Sequence, residues 1–100
     1  MFTIRQTEVF ASWLSGLRDP RAKQKIAVRL QRLKFGNFGD VKPVGGGVSE
    51  LRIHEGKGYR VYLCQSEQEI ILLLCGGNKK MQTSDVANAK RILKELNDET

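Results

Sequence analysis

Hydrophobic and polar positions alternate at the start of the chain. Phe2 and Ile4 are separated by Thr3 and Arg5, a period of two that predicts a short strand over residues 2–6. The period then lengthens. Phe10, Trp13, Leu14 and Leu17 stand at i, i+3, i+4 and i+7, one buried helical face. Thr7 can cap that helix, and Glu8 suits its positive first turn. Asp19-Pro20 restarts the chain as N-cap and first helical residue, where the missing proline N–H costs nothing. This second helix is expected to run to about Phe35, with Gly36 as its C-terminal cap. Ala22, Ile26, Leu30 and Leu33 form its apolar stripe. Arg18, Arg21, Lys25, Arg29 and Arg32 form a second stripe, which is read as an outward basic ridge.

Residues 36–47, GNFGDVKPVGGG, carry five glycines and one proline and are expected to be loop. The second half reads as sheet, with strands over 48–54, 59–65 and 69–74 joined by hairpin-sized links. Leu51 and Ile53 point one way while Glu50, Arg52 and His54 point the other. Tyr59, Val61 and Leu63 oppose Arg60, Tyr62 and Cys64. Matching the apolar faces of the two strands groups Arg52, His54, Arg60 and Tyr62, a grouping that a one-residue slip would undo. The third strand is apolar on both faces, as a covered central strand should be. A last helix, capped by Thr83 or Ser84, carries the stripe Val86, Ala89, Leu93 and Leu96. The order β-α-α-β-β-β-α predicts an α+β fold: one antiparallel sheet, two N-terminal helices on one face, and a C-terminal helix.

Length narrows the organisation further: 100 residues make a single domain, expected over 1–100. The longest apolar run, Ile70 to Cys75, is far short of the roughly 20 residues of a membrane-spanning helix. The first residues have no secretory apolar stretch, and two cysteines without an export signal point to reduced thiols and a cytoplasmic protein. Charge is the positive clue. The chain carries +6, and residues 1–60 hold twelve basic against five acidic side chains. Such concentration suits a polyanionic partner, nucleic acid being the commonest.

Several familiar sites are missing from the sequence. Gly45-Gly46-Gly47 lacks the Lys-Ser/Thr of a phosphate loop, and one His with two unspaced Cys gives no metal-ligand pattern. No cofactor or metal is expected. What remains is the polar sheet face with Arg52, His54, Arg60 and Tyr62, beside Lys79-Lys80 after the third strand. Neighbouring arginines repel unless an anion lies between them, and that anion could be a phosphodiester. RNA can be cut without metal when a base takes the 2′-OH proton, cations hold the phosphorane charge and an acid protonates the leaving oxygen. Arg and Lys supply charge here, and His or Tyr could move protons.

The element order, LRIHEGKGYRVYL (51–63) and LLLCGGNKK (72–80) together resemble the RelE/ParE superfamily of toxin–antitoxin toxins. GNFGDVKPVGGGVSELRI (36–53) with GYRVY (58–62) resembles more closely its HigB-like addiction module killer branch, related to phage-derived proteins. The resemblance implies a RelE-like fold and a toxin that cuts mRNA on the ribosome, restrained by an antitoxin, a small helix-turn-helix protein through which the complex could bind operator DNA. It assigns phosphate charge to Arg60 and Lys79, and positioning or proton transfer to Arg52. Lys80, Lys57, Lys42 and Tyr62 are expected to bind RNA. The chain departs from the pattern at Ala87, where a stacking tyrosine can stand, and at Ser49 and Glu50, where basic residues are expected. His54 or Glu50 is then the substitute base. The alternatives are a ParE-like gyrase inhibitor with no nuclease activity, or a non-catalytic RNA- or DNA-binding module.

Overall fold

The computed structural model describes residues 1–98, so the last two residues of the expected domain lie outside the described residues. Its elements are β1 (Thr3–Gln6), α1 (Glu8–Gly16), α2 (Pro20–Lys34), β2 (Val41–Gly45), β3 (Val48–Ile53), β4 (Tyr59–Glu67), β5 (Ile70–Asn78), a 3-10 turn (Lys79–Met81) and α3 (Gln82–Asp98). The α+β class and the placement of the helices agree with the sequence pattern.

Both helix starts form as their residues require. The Thr7 hydroxyl accepts from the Phe10 amide at 3.1 Å and donates to the Leu74 carbonyl at 2.6 Å, tying α1 to β5. Asp19 caps α2 by accepting from the Ala22 amide, with Pro20 at the first turn. Such caps each contribute about 1 kcal/mol. The start of α3 differs from expectation. Neither Thr83 nor Ser84 caps it; the helix continues from the 3-10 turn, whose own cap is Asn78 accepting from the Lys80 amide.

Two features of the sheet correct the sequence reading. The glycine-rich stretch is not all loop: Val41–Gly45 is an edge strand antiparallel to β3. Proline and a gap in the alternation concealed it, and Pro43 is tolerated because an edge strand can spare a ladder donor. Gly46 and Gly47, both at positive φ, turn the chain from β2 into β3. The sheet is also mixed, in the order β1-β5-β4-β3-β2, with β1 parallel to β5 and all other pairs antiparallel. The parallel pair arises because α1 and the rest of the fold intervene before β5 returns beside β1.

Two cores flank this sheet. On one face Phe10, Ala22, Ile26 and Leu33 of α1 and α2 pack on Leu51, Ile53, Val61, Leu63 and Leu73. On the other, Ala89 and Ile92 of α3 pack on Val48, Tyr62, Cys64, Leu74 and Cys75. The paired glycines of β5 make both packings possible. A Cβ on Gly76 would overlap the Trp13 indole of α1, and one on Gly77 would overlap the Asp85 carboxylate of α3. Because α3 begins only after β5 and the 3-10 turn, it covers one end of its face and leaves the other end open. The open end carries the site.

Candidate functional site

β3 and β4 pair with Arg52 opposite Arg60 and Glu50 opposite Tyr62, so all four side chains start from the α3 face. This is the register that the alternation predicted. The anion between the arginines is supplied by the chain itself. Glu50 is fully buried, with Oε1 at 3.3 Å from Arg60 Nε and 3.8 Å from Arg52 Nε. Its other oxygen accepts from Tyr62 Oη at 3.3 Å and from Gln82 Nε2 at 2.9 Å. The arginine contacts are ionic without aligned hydrogen bonds: Glu50 Oε1 and both Nε atoms lack a hydrogen-bond partner. Glu50 therefore partly neutralises the guanidinium groups and fixes them, while leaving donor capacity unspent.

Arg60 is 8% exposed, and its Nη1 donates to the Gly58 carbonyl at 3.2 Å. With Arg52, His54, Glu55, Lys57 and Lys79 it lines an open cleft of about 620 Å3. Lys57 and Lys79 are exposed on its rim. Four cationic side chains converge there, and Glu55 is engaged by Lys25 of α2 at 2.8 Å. An anionic ligand in this cleft would meet fixed arginines at its floor and mobile lysines at its edge.

The rim nearest α2 holds a second network. Asp40, just before β2, places Oδ2 at 2.5 Å from His54 Nε2 and Oδ1 at 3.4 Å from Arg52 Nε. Its backbone carbonyl accepts from the Arg52 amide at 2.9 Å and from Arg29 Nη2 at 3.3 Å. Arg29 also donates to the carbonyls of Arg52 at 2.5 Å and Phe38 at 3.2 Å. The hydrogen bond from His54 holds the Asp40 carboxyl below the usual carboxylate range, with Arg52 acting in the same direction and partial desolvation against it. Arg29 is thus no part of an outward ridge; it is a half-buried staple between α2, Phe38 and β3.

A family-level sequence pattern for phage-derived Gp49-like proteins matches residues 12–97, a span that includes every residue of the cleft. The chain belongs to the Gp49-like family. That family is related to the toxins of toxin–antitoxin systems. A Haemophilus influenzae (strain Rd) protein described only as uncharacterized is 53% identical over 93 residues, covering 93% of this chain and 94% of its own length.

In this Gp49-like chain the structure brings together Arg52, His54, Arg60, Lys57 and Lys79. It does not bring Lys42 or Lys80 into the cleft lining; both are exposed, Lys42 on the edge strand β2 and Lys80 in the 3-10 turn. The expectation for Tyr62 is corrected. Tyr62 is fully buried under α3, and burial, followed by the nearby Glu50 charge, pushes its hydroxyl well above the usual phenol range. It donates to Glu50 and has no surface on which a nucleotide could stack. Both cysteines are buried too, and burial and then Asp85 push the Cys75 thiol up to about 11, so it stays protonated.

Asp40, Gln82 and the staple role of Arg29 escaped the sequence reading. Asp40 had one visible signal: it is the sole acidic residue in the glycine-rich stretch 36–47. Among the described residues no group of three or more His, Cys, Asp and Glu is placed to hold a metal ion, and no helix is long and apolar enough to cross a membrane.

Proposed function

We propose that this protein is the toxin of a toxin–antitoxin pair and that it cleaves mRNA on the translating ribosome with its own cationic side chains. The observation that carries this reading is the convergence of Arg52, Arg60, Lys57 and Lys79 around one open cleft with His54 on its rim. Family membership supports the toxin half of the reading.

The chemistry uses what each group can do. Arg60, fixed by Glu50 and the Gly58 carbonyl, meets the negative charge that builds on the phosphorane. Lys79 adds a mobile charge from the first position of the 3-10 turn. Arg52, held between Glu50 and Asp40, orients the phosphate beside His54. Tyr62 takes no part in proton transfer and serves instead to hold Glu50. Glu50, buried and engaged by four neighbours, is a scaffold for the arginines, and Glu55 is paired with Lys25, so the proton acceptor at the cleft is assigned to His54.

The restraining antitoxin would meet the face of α2. Arg21, Lys25 and Arg32 remain exposed there with Val28, with Arg18 exposed just before the helix, along a second groove of about 650 Å3 that His54 also lines. An acidic amphipathic segment fits this surface by charge and by the exposed Val28, and its association would weaken with salt.

The deciding experiment adds purified protein to translating ribosomes and maps mRNA ends. New ends within codons, reduced with Lys79→Ala, support the reading. Inhibition of gyrase supercoiling with intact RNA replaces it with the gyrase-inhibitor alternative, and RNA binding with neither effect replaces it with a binding module.

A further inference from the structure

The single histidine of the chain is held by a carboxylate whose own backbone is locked in place. Resting on the nuclease reading above, we propose that Asp40 is the positioning residue that presents His54 as the acceptor of the RNA 2′-hydroxyl proton. His54 is exposed and lines both the cationic cleft and the groove along α2. A histidine so exposed would ordinarily sample many rotamers. Here Asp40 Oδ2 lies at 2.5 Å from Nε2.

The precision of that contact comes from the backbone of Asp40. Its carbonyl accepts from the amide of Arg52, two residues before His54, and from Arg29 on α2. Arg29 also donates to the Arg52 carbonyl, so one side chain ties the loop bearing Asp40 to the strand end bearing His54. The other carboxylate oxygen faces Arg52 Nε at 3.4 Å. The charged groups around the ring are thus Asp40 from the loop, Arg52 from β3, Arg29 from α2 and Glu55 from the following turn, itself paired with Lys25.

This arrangement fixes the tautomer. An ionised carboxylate only accepts, so Nε2 carries the hydrogen and donates it to Asp40. In the neutral ring the lone pair then lies on Nδ1. The step balances as follows. The 2′-hydroxyl gives its proton to Nδ1 as its oxygen forms a bond to phosphorus. The bond from phosphorus to the 5′-oxygen breaks, and that oxygen takes a proton from water in the open cleft. The products are a 2′,3′-cyclic phosphate and a 5′-hydroxyl end, and the imidazolium returns its proton to solvent. The imidazolium formed in this step is stabilised by the Asp40 charge beside it.

Because His54 is the sole histidine, nitrogen NMR of the whole chain reads its tautomer without assignment ambiguity. The expected result is a neutral ring protonated on Nε2, with the Asp40→Ala variant showing a mixture of tautomers. The hydrogen bonds from the Arg52 amide and the Arg29 guanidinium go to the main-chain carbonyl of Asp40 and survive that substitution, so the variant should fold, which thermal melting checks. Single-turnover RNA cleavage on ribosomes supplies the second readout. His54→Ala lowers the rate by about 10²–10⁴-fold, and Asp40→Ala by about 10²-fold through misplacement of the ring. The double variant should be no slower than His54→Ala alone, because Asp40 acts only through the histidine. A ring protonated on Nδ1 in the wild type, Asp40→Ala cleaving at the wild-type rate, or additive losses in the double variant would each overturn the proposal. Wild-type protein that leaves RNA intact on ribosomes overturns the nuclease reading and with it the catalytic role of the pair, whereas the other three results overturn the role of Asp40 while the nuclease reading stands.

Discussion

Arg52 and Arg60 are direct cross-strand partners, and the carboxylate between them belongs to Glu50 of the same chain. Two like charges opposite each other on a sheet repel. Here the repulsion is offset internally, so the cationic cleft exists before any ligand arrives.

That arrangement changes what Arg60→Ala is expected to do. A surface arginine would be removable at little cost to the fold, but Arg60 is nearly buried and lies against a fully buried carboxylate. Removing one partner of such a pair costs about 3–5 kcal/mol, less here by the share of Glu50 charge that Arg52 still offsets. Arg60→Ala should therefore lower the urea midpoint measurably and slow cleavage by about 10²–10³-fold. Pairing it with Glu50→Gln should restore much of the stability and none of the cleavage. A variant melting like the wild type would show that Glu50 is not held as described.

Lys79→Ala separates function from stability. The side chain is exposed in the 3-10 turn, so the melting temperature should stay within the effect of about 0.5 kcal/mol common for surface changes. Cleavage should fall, by less than for Arg60→Ala, because a mobile ammonium is less preorganised. Unchanged cleavage would remove Lys79 from the site.

The paired glycines give a purely structural prediction. Gly76→Ala drives a methyl into the Trp13 indole, and Gly77→Ala drives one into the Asp85 carboxylate. Overpacking of this kind costs about 1–3 kcal/mol. Each substitution should lower stability in a denaturant titration, Gly76→Ala by loosening α1 and Gly77→Ala by displacing the start of α3.

Acid sensitivity follows from Asp40. The hydrogen bond from His54, and then the charge of Arg52, hold its carboxyl below the usual range in the folded state. A depressed carboxylate contributes stability above its unfolded value of roughly 3.9, and loses that contribution as pH falls through the lower folded value. Wild type should therefore be more stable than Asp40→Asn at neutral pH. The difference should shrink toward zero as the solution is acidified below the ordinary carboxylate range. A difference that grows on acidification would reverse the sign assigned here.

Local pattern determined a good deal of this protein. The alternation in β3 and β4 was enough to put Arg52 and Arg60 on one face, because a strand has a period of two and a one-residue slip would stop Leu51, Ile53, Val61 and Leu63 from sharing the buried face. Thr7 and Asp19-Pro20 marked their helices because capping needs only the residues of the first turn. What tertiary structure decided was which parts of that face stay open. Tyr62 and Arg60 lie on the same side of the same strand, yet α3 seals the first against Glu50 and leaves the second lining a cleft. The periodicity of α3 says that it has an apolar face, and nothing local says how far along the sheet that face reaches. Asp40 and His54 were beyond local pattern for the same reason: they meet through the β2–β3 pairing and the Arg29 staple, contacts between segments whose separation in sequence carries no periodic trace.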